Sequence, residues 1–145
     1  MQTLVRLIYT SRCTAAADPA ALNKICAVAQ PNNRRDSITG VLLECQGRFL
    51  RALEGERSKV TARYAGILAD PRHTDCVLLF LAPIDRRNWP EWDMRHVPLT
   101  PVNGERLGKL LANFGHLPDP AAATAAIAIL EQLTVRGRRP EVIDQ

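Results

Sequence analysis

The residue that first demands a chemical explanation is an arginine in the middle of an apolar strand pattern. In the run 48–54, Arg51 shares a face with Phe49 and Leu53, while Leu50, Ala52 and Glu54 share the other. A guanidinium keeps its charge and carries several donors, so burying it without an acceptor is strongly unfavourable. Either Arg51 borders solvent or something beside it accepts hydrogen bonds. Tyr9 ends an inward row begun by Val5 and Leu7, and Asn32 and Asn33 lie in a polar stretch whose ordinary reading is solvated turn chemistry. His73, His96 and His116 are scattered, with no paired nucleophile and no metal-ligand spacing, so neither a catalytic nor a metal site is expected. Cys13, Cys26, Cys45 and Cys76 lie far apart without a C-x-x-C motif and read as reduced core thiols.

The elements that must position these residues follow from periodicity. Residues 38–55 break at Gln46 and Gly47 into two strand-length runs, a hairpin with Gly47 at a positive-φ position and apolar residues on both faces. Before it, residues 3–10 alternate as a strand. Asp18 and Pro19 then signal a helix start, and Leu22, Ile25, Cys26 and Ala29 recur at helical spacing until Pro31 halts them. After it, Val60, Tyr64, Ile67 and Leu68 make a second helical stripe closed by Asp70 and Pro71. Residues 76–81 are nearly unbroken apolar sequence, expected in the sheet interior. Residues 83–90 form a Pro-punctuated basic loop, and 92–97 a short last strand with Trp92, Met94 and His96 on one face.

This βαββαββ order predicts an α+β, ferredoxin-like sandwich with both helices on one sheet face. Residues 98–104 read as a linker. Two more apolar stripes, at 105–114 (Leu107, Leu110, Leu111, Phe114) and 120–135 (Ile127, Leu130, Leu133), would cover the opposite face, where Leu42, Leu50 and Ala52 are expected. The organisation expected is a domain at 1–97 and a helical extension at 98–145 packed on it, ending in a frayed tail from 136.

Composition narrows the classes. The 145 residues, 46% hydrophobic and 23% charged, suit one globular domain. Nineteen Lys and Arg against fifteen Asp and Glu leave a net charge of +4 spread over the chain, and 5% aromatic residues supply few stacking platforms, which argues against nucleic acid as a partner. No apolar run approaches a membrane span and no signal sequence is apparent, so a cytoplasmic location is expected.

Five separated motifs then coincide: L-I-Y-T-S around Tyr9, N-N-x-x-x-x-I-T-G from Asn32, G-R-F-x-x-x-L-E-G from Gly47, A-D-P-R-H from Ala69, and W-P-E-W-D-M from Trp89. Over residues 3–97 the chain resembles the BLUF domains, blue-light sensors that use FAD. The resemblance implies a ferredoxin-like fold with the flavin ring between the two helices. It implies that Tyr9 is the photoactive tyrosine, that Asn33 binds the flavin with Asn32 beside it, that Ile25 and Ile67 sandwich the ring, and that Arg72 and His73 are the family's Arg-His pair after the second helix, with Arg72 reaching the flavin or its phosphates. Trp92 and Met94 match the mobile pair of the last strand. By their own spacing, without the resemblance, Ile25 and Ile67 read first as ordinary core residues.

The chain departs from the family at Arg51, which stands where the family carries a glutamine. An amide both donates and accepts, so it can exchange the two roles, whereas a guanidinium only donates and its charge attracts electron density on a neighbouring flavin. The expected function is an FAD-binding blue-light sensor, not an enzyme, with a photocycle altered by Arg51. It would signal through its C-terminal helices to a separate protein, with homo-oligomerisation left open. The alternatives are a non-photochemical flavin or redox-responsive module and a flavin-free adaptor.

Overall fold

A computed structural model describes residues 3–13, 19–92, 94–97, 99–112 and 120–134. Strand β1 (Leu4–Cys13) is followed by helix α1 (Pro19–Arg35), the hairpin strands β2 (Thr39–Cys45) and β3 (Arg48–Glu56), and helix α2 (Arg57–Ala69). Strand β4 (His73–Pro83), the two-residue β5 (Arg95–His96), and helices α3 (Pro101–Ala112) and α4 (Pro120–Thr134) complete it. The sheet order is β4-β1-β3-β2-β5, with β1, β3, β2 and β4 pairing antiparallel and β5 lying parallel to β2. This is the ferredoxin-like α+β arrangement with added C-terminal helices.

The hairpin forms because its turn chemistry matches strand twist: Gln46 and Gly47 both take positive φ, 54° and 80°, and Glu44 accepts the Gly47 N–H at 3.0 Å. Gly40 is required for a different reason. A Cβ there would sit 2.1 Å from the Ala52 carbonyl oxygen, so only glycine lets β2 lie this close to β3.

Alternation sorts the sheet into two cores. On one face Val5, Leu7, Tyr9, Leu42, Phe49 and Leu53 meet α1 and α2 through Cys26, Val60 and Ile67. On the other, Ile8, Val41, Leu43, Leu50 and Ala52 are covered by Leu107 and Leu111 of α3 and by Ala126, Ile129 and Leu130 of α4. Leu42 therefore lies on the α1/α2 face, opposite to expectation, because it pairs directly with Arg51 and cross-strand partners share a face. Proline opens each of α1, α3 and α4, where its missing N–H costs nothing.

The structure departs from the sequence reading at several elements. Pro31 does not end α1. The turn beyond it is held from outside: the carbonyls of Asn32, Asn33 and Arg34 accept the N–H groups of Asp36, Ile38 and Ser37, and the buried Asn33 side chain is gripped by Arg63. β4 is an edge strand instead of an interior one, with Leu78 and Leu81 40% and 45% exposed, since β1 takes the central place between β3 and β4. The last strand shrinks to two residues, and Trp92 and Met94 enter opposite cores. α3 starts at Pro101, four residues before the expected start at Glu105. Asp18, Phe114, His116 and the tail from 136 lie outside the described residues.

Candidate functional site

Between α1 and α2, above the centre of the sheet, lies a cavity of about 330 Å3. Helical spacing supplies its α1 wall: Lys24, Val28 and Asn32 repeat at i, i+4, i+8 beside Ile25 and Ala29. Ile67 of α2 forms the facing apolar wall, with Arg63 one turn earlier. Arg51 rises from β3 into the cavity, and Asp70, Arg72 and His73 lie at the start of β4 and in the turn before it.

Arg51 is only 5% exposed. Its Nη1 donates to the Tyr9 hydroxyl at 3.2 Å, and its Nε is buried with no hydrogen-bond partner among the described residues. Tyr9 is itself fully buried, and its ring packs against Tyr64 with centroids 5.2 Å apart. Burial, followed by the nearby Cys76 and Tyr9, pushes the Tyr64 hydroxyl up to about 12. Cys26, on the same face, is raised by burial against an opposing pull from Arg51, which keeps it a thiol.

The other cations around the cavity differ from Arg51. Arg72 is exposed and clamps Asp70, with Nη2 2.7 Å from Oδ2, and that contact holds the Asp70 carboxyl down at about 2. Arg63 donates to Asn33 Oδ1 and pairs with Asp36 at 2.7 Å. His73 shares a 3.2 Å hydrogen bond between Nδ1 and Ser11 Oγ and packs on Phe49 with centroids 5.8 Å apart. Burial, then Arg51 and Arg72, depress its pKa against the opposing pull of Asp70, which favours the neutral imidazole.

Of the residues singled out by sequence, Ile25, Asn32, Arg51, Ile67, Arg72 and His73 meet at the cavity. Tyr9 touches it through Arg51. Asn33 is buried beside Asp36 and Arg63, away from the lining. Met94 packs into the α1/α2 core, its carbonyl accepting from Gln30 Nε2 at 2.9 Å, whereas Trp92 packs into the opposite core. Lys24, Val28 and Arg63 escaped the sequence reading. The signal was present in the four-residue spacing on α1 and in Arg63 lying one turn before Ile67. Among the described residues no cluster of His, Cys, Asp and Glu could hold a metal ion, and no helix is long and apolar enough to cross a membrane.

A slot with apolar surface from Ile25, Val28, Ala29 and Ile67 and polar groups interspersed around it suits a flat heteroaromatic ring. Arg51 lines the cavity, and its Nε is a buried donor with no acceptor among the described residues. The residues present therefore fit the flavin that the resemblance implies.

Comparison with known proteins agrees. The family described as sensors of blue light using FAD matches residues 4–95. The photoactivated adenylate cyclase subunit beta of Euglena gracilis is 39% identical over 93 residues, 63% of this chain and 11% of that protein, and its alpha subunit is 38% identical over 84 residues, 58% and 8%. The chain thus spans about a tenth of the length of these relatives. The dark-state structure of the BLUF protein BlrB superposes with a TM-score of 0.77 at 31% identity, covering 94% of this chain and 98% of that one. A bacterial light-regulated adenylyl cyclase superposes with a TM-score of 0.63 at 32% identity, covering 90% of this chain and 36% of that one.

Proposed function

The chain belongs to the BLUF family, the blue-light sensors that use FAD, and from that membership we propose that it holds the FAD ring between α1 and α2 and answers light through a photocycle that Arg51 has changed. The observation that carries this reading is the buried Arg51 Nε, a donor with no partner among the described residues, in an arginine at the floor of a slot walled by Ile25 and Ile67.

FAD, when bound, supplies the blue absorption and accepts an electron. The chain's own groups do the rest. Ile25 and Ile67 exclude water from the two ring faces. Asn32, Arg63 and Lys24 offer donors at the rim, and Tyr9, joined to Arg51 through its hydroxyl, is the electron and proton donor placed nearest the floor. Glutamine at position 51 could reverse its amide and so trade donor for acceptor, but a guanidinium has no acceptor to trade. The response would leave the domain through α3 and α4 to a separate protein, since the cyclase relatives carry most of their length outside the region matched here.

A light-minus-dark absorption spectrum of the purified protein tests this. FAD absorption is expected without a stable red-shifted state, Arg51→Gln should gain a reversible red shift, and Tyr9→Phe on that background should remove it. A protein that stays colourless with added FAD would overturn the reading. A reversible red shift in the unmodified protein would overturn the role given to Arg51.

A further inference from the structure

We propose that Arg51 makes the cavity selective for oxidation state, holding FAD more tightly in its reduced, negatively charged form than in its oxidised form, so that the protein senses redox state as well as light. The inference rests on the reading that FAD occupies the cavity. What it adds is which form of the ring the site is built to hold.

Arg6, on the opposite sheet face, is matched by buried Glu54 with Nε 2.7 Å from Oε2. Around the cavity, Arg63 has Asp36 and Arg72 has Asp70, each at 2.7 Å. Arg51 is the most buried of the cavity's cations, yet its hydrogen bond is to a neutral phenol, and it forms no ion pair among the described residues. Among the described residues, the other charged groups facing the cavity are Lys24 of α1, Arg63 of α2, Asp70 and Arg72, and the one carboxylate of this set is already held by Arg72. His73 and Cys26, both coupled to Arg51, are favoured in their neutral forms. The protein thus leaves a desolvated positive charge uncompensated at the floor of a slot shaped for a ring.

A desolvated cation of this kind is matched by negative charge on the ligand. The oxidised flavin ring is neutral. Two electrons and one proton leave the reduced ring with one negative charge near neutral pH, on the pyrimidine portion. The phosphates are negative in both forms, so an Arg51 directed at them would strengthen binding without preference for either.

The experiment is a stepwise reduction with dithionite, which supplies the two electrons while water supplies the proton, of the FAD-bound protein against a reference dye. Unmodified protein, Arg51→Lys and Arg51→Gln are compared. Arg51 and Arg51→Lys should hold the midpoint potential above that of free FAD. Arg51→Gln should lower it by at least about 30 mV, equivalent to a tenfold loss of preference for the reduced form. Flavin-free Arg51→Gln should also melt higher than flavin-free unmodified protein, because it no longer buries a lone charge. Equal potentials for Arg51 and Arg51→Gln, both with FAD bound, would overturn the proposal while leaving occupancy intact. So would an Arg51→Gln that binds FAD more weakly but riboflavin equally well, which would place Arg51 on the phosphates. Absence of FAD binding in all three proteins would overturn occupancy, and the proposal with it.

Discussion

Trp89 donates its indole N–H to Thr134 Oγ1 at 2.8 Å, and Thr134 donates in turn to the Leu130 carbonyl within α4. Both residues are fully or almost fully buried. The backbone N–H of Trp89, like that of Asn88, is accepted by the Glu54 carboxylate at 3.0 Å, and Asn88 Nδ2 reaches Glu131 of α4 at 3.2 Å. The strand that carries Arg51 is therefore tied to α4 through the loop at residues 84–92. Thr134→Val keeps the shape and strands the indole donor, at a cost of about 1–3 kcal/mol. Urea denaturation should show that loss, and hydrogen exchange should show α4 losing more protection than β2. Unchanged stability would mean that the indole finds another acceptor.

Ile25→Asp should abolish FAD binding. It replaces an apolar wall of the slot with a carboxylate that can neutralise Arg51, removing shape and charge complementarity together. Flavin content after purification measures this, and a full complement of FAD in the variant would rule out the slot between α1 and α2.

Ending the chain after Thr100 removes α3 and α4 and uncovers Ile8, Val41, Leu43, Leu50 and Ala52 together. An apolar sheet face of that extent does not stay in water as a monomer. The shortened protein should aggregate or melt well below the full chain. A monomer with an unchanged melting temperature would show that the helices contribute nothing to the sheet.

Asp70 fixes the turn into β4 by accepting from the backbone N–H and guanidinium of Arg72. Its carboxyl is lowered from 3.8 to about 2, chiefly by the Arg72 side chain. A depressed folded pKa means stabilisation that is complete above the unfolded value and is lost as pH falls through the folded one. Asp70→Asn should therefore flatten the melting-temperature profile between pH 3.8 and about 2 and reduce stability above that window. Parallel profiles for the two proteins would contradict the assignment.

The fold was legible because periodicity survives packing. β1 alternates, the hairpin carries Gly47, and α2 is bounded by Asp70 and Pro71. What was lost depends on neighbours. An apolar run such as residues 76–81 reads the same at the centre of a sheet as at its edge, and only the pairing of β1 with both β3 and β4 decides which. Pro31 looked like a stop because the turn after it is stabilised by Arg63, a residue 32 positions away in sequence from Pro31 and on another helix. At the site, Ile25, Ile67 and Arg51 showed in the strand and helix patterns. The separation of Asn32 from Asn33 did not, because it depends on where α1 ends. The opposite destinations of Trp92 and Met94 were hidden by the assumption that an alternating pattern must be a strand.

The strand order also governs how the chain can be assembled as it is synthesised. β1 is made before its partners, yet its two neighbours are β3, ending at Glu56, and β4, ending at Pro83. The hairpin can close locally as soon as its turn has left the ribosome, whereas the segment holding Val5, Leu7, Ile8 and Tyr9 stays unpaired on one side until residue 83 has emerged. The time for which β1 lacks its second neighbour is therefore set by the translation time from β1 to Pro83, and slow codons between β3 and β4 should lengthen it.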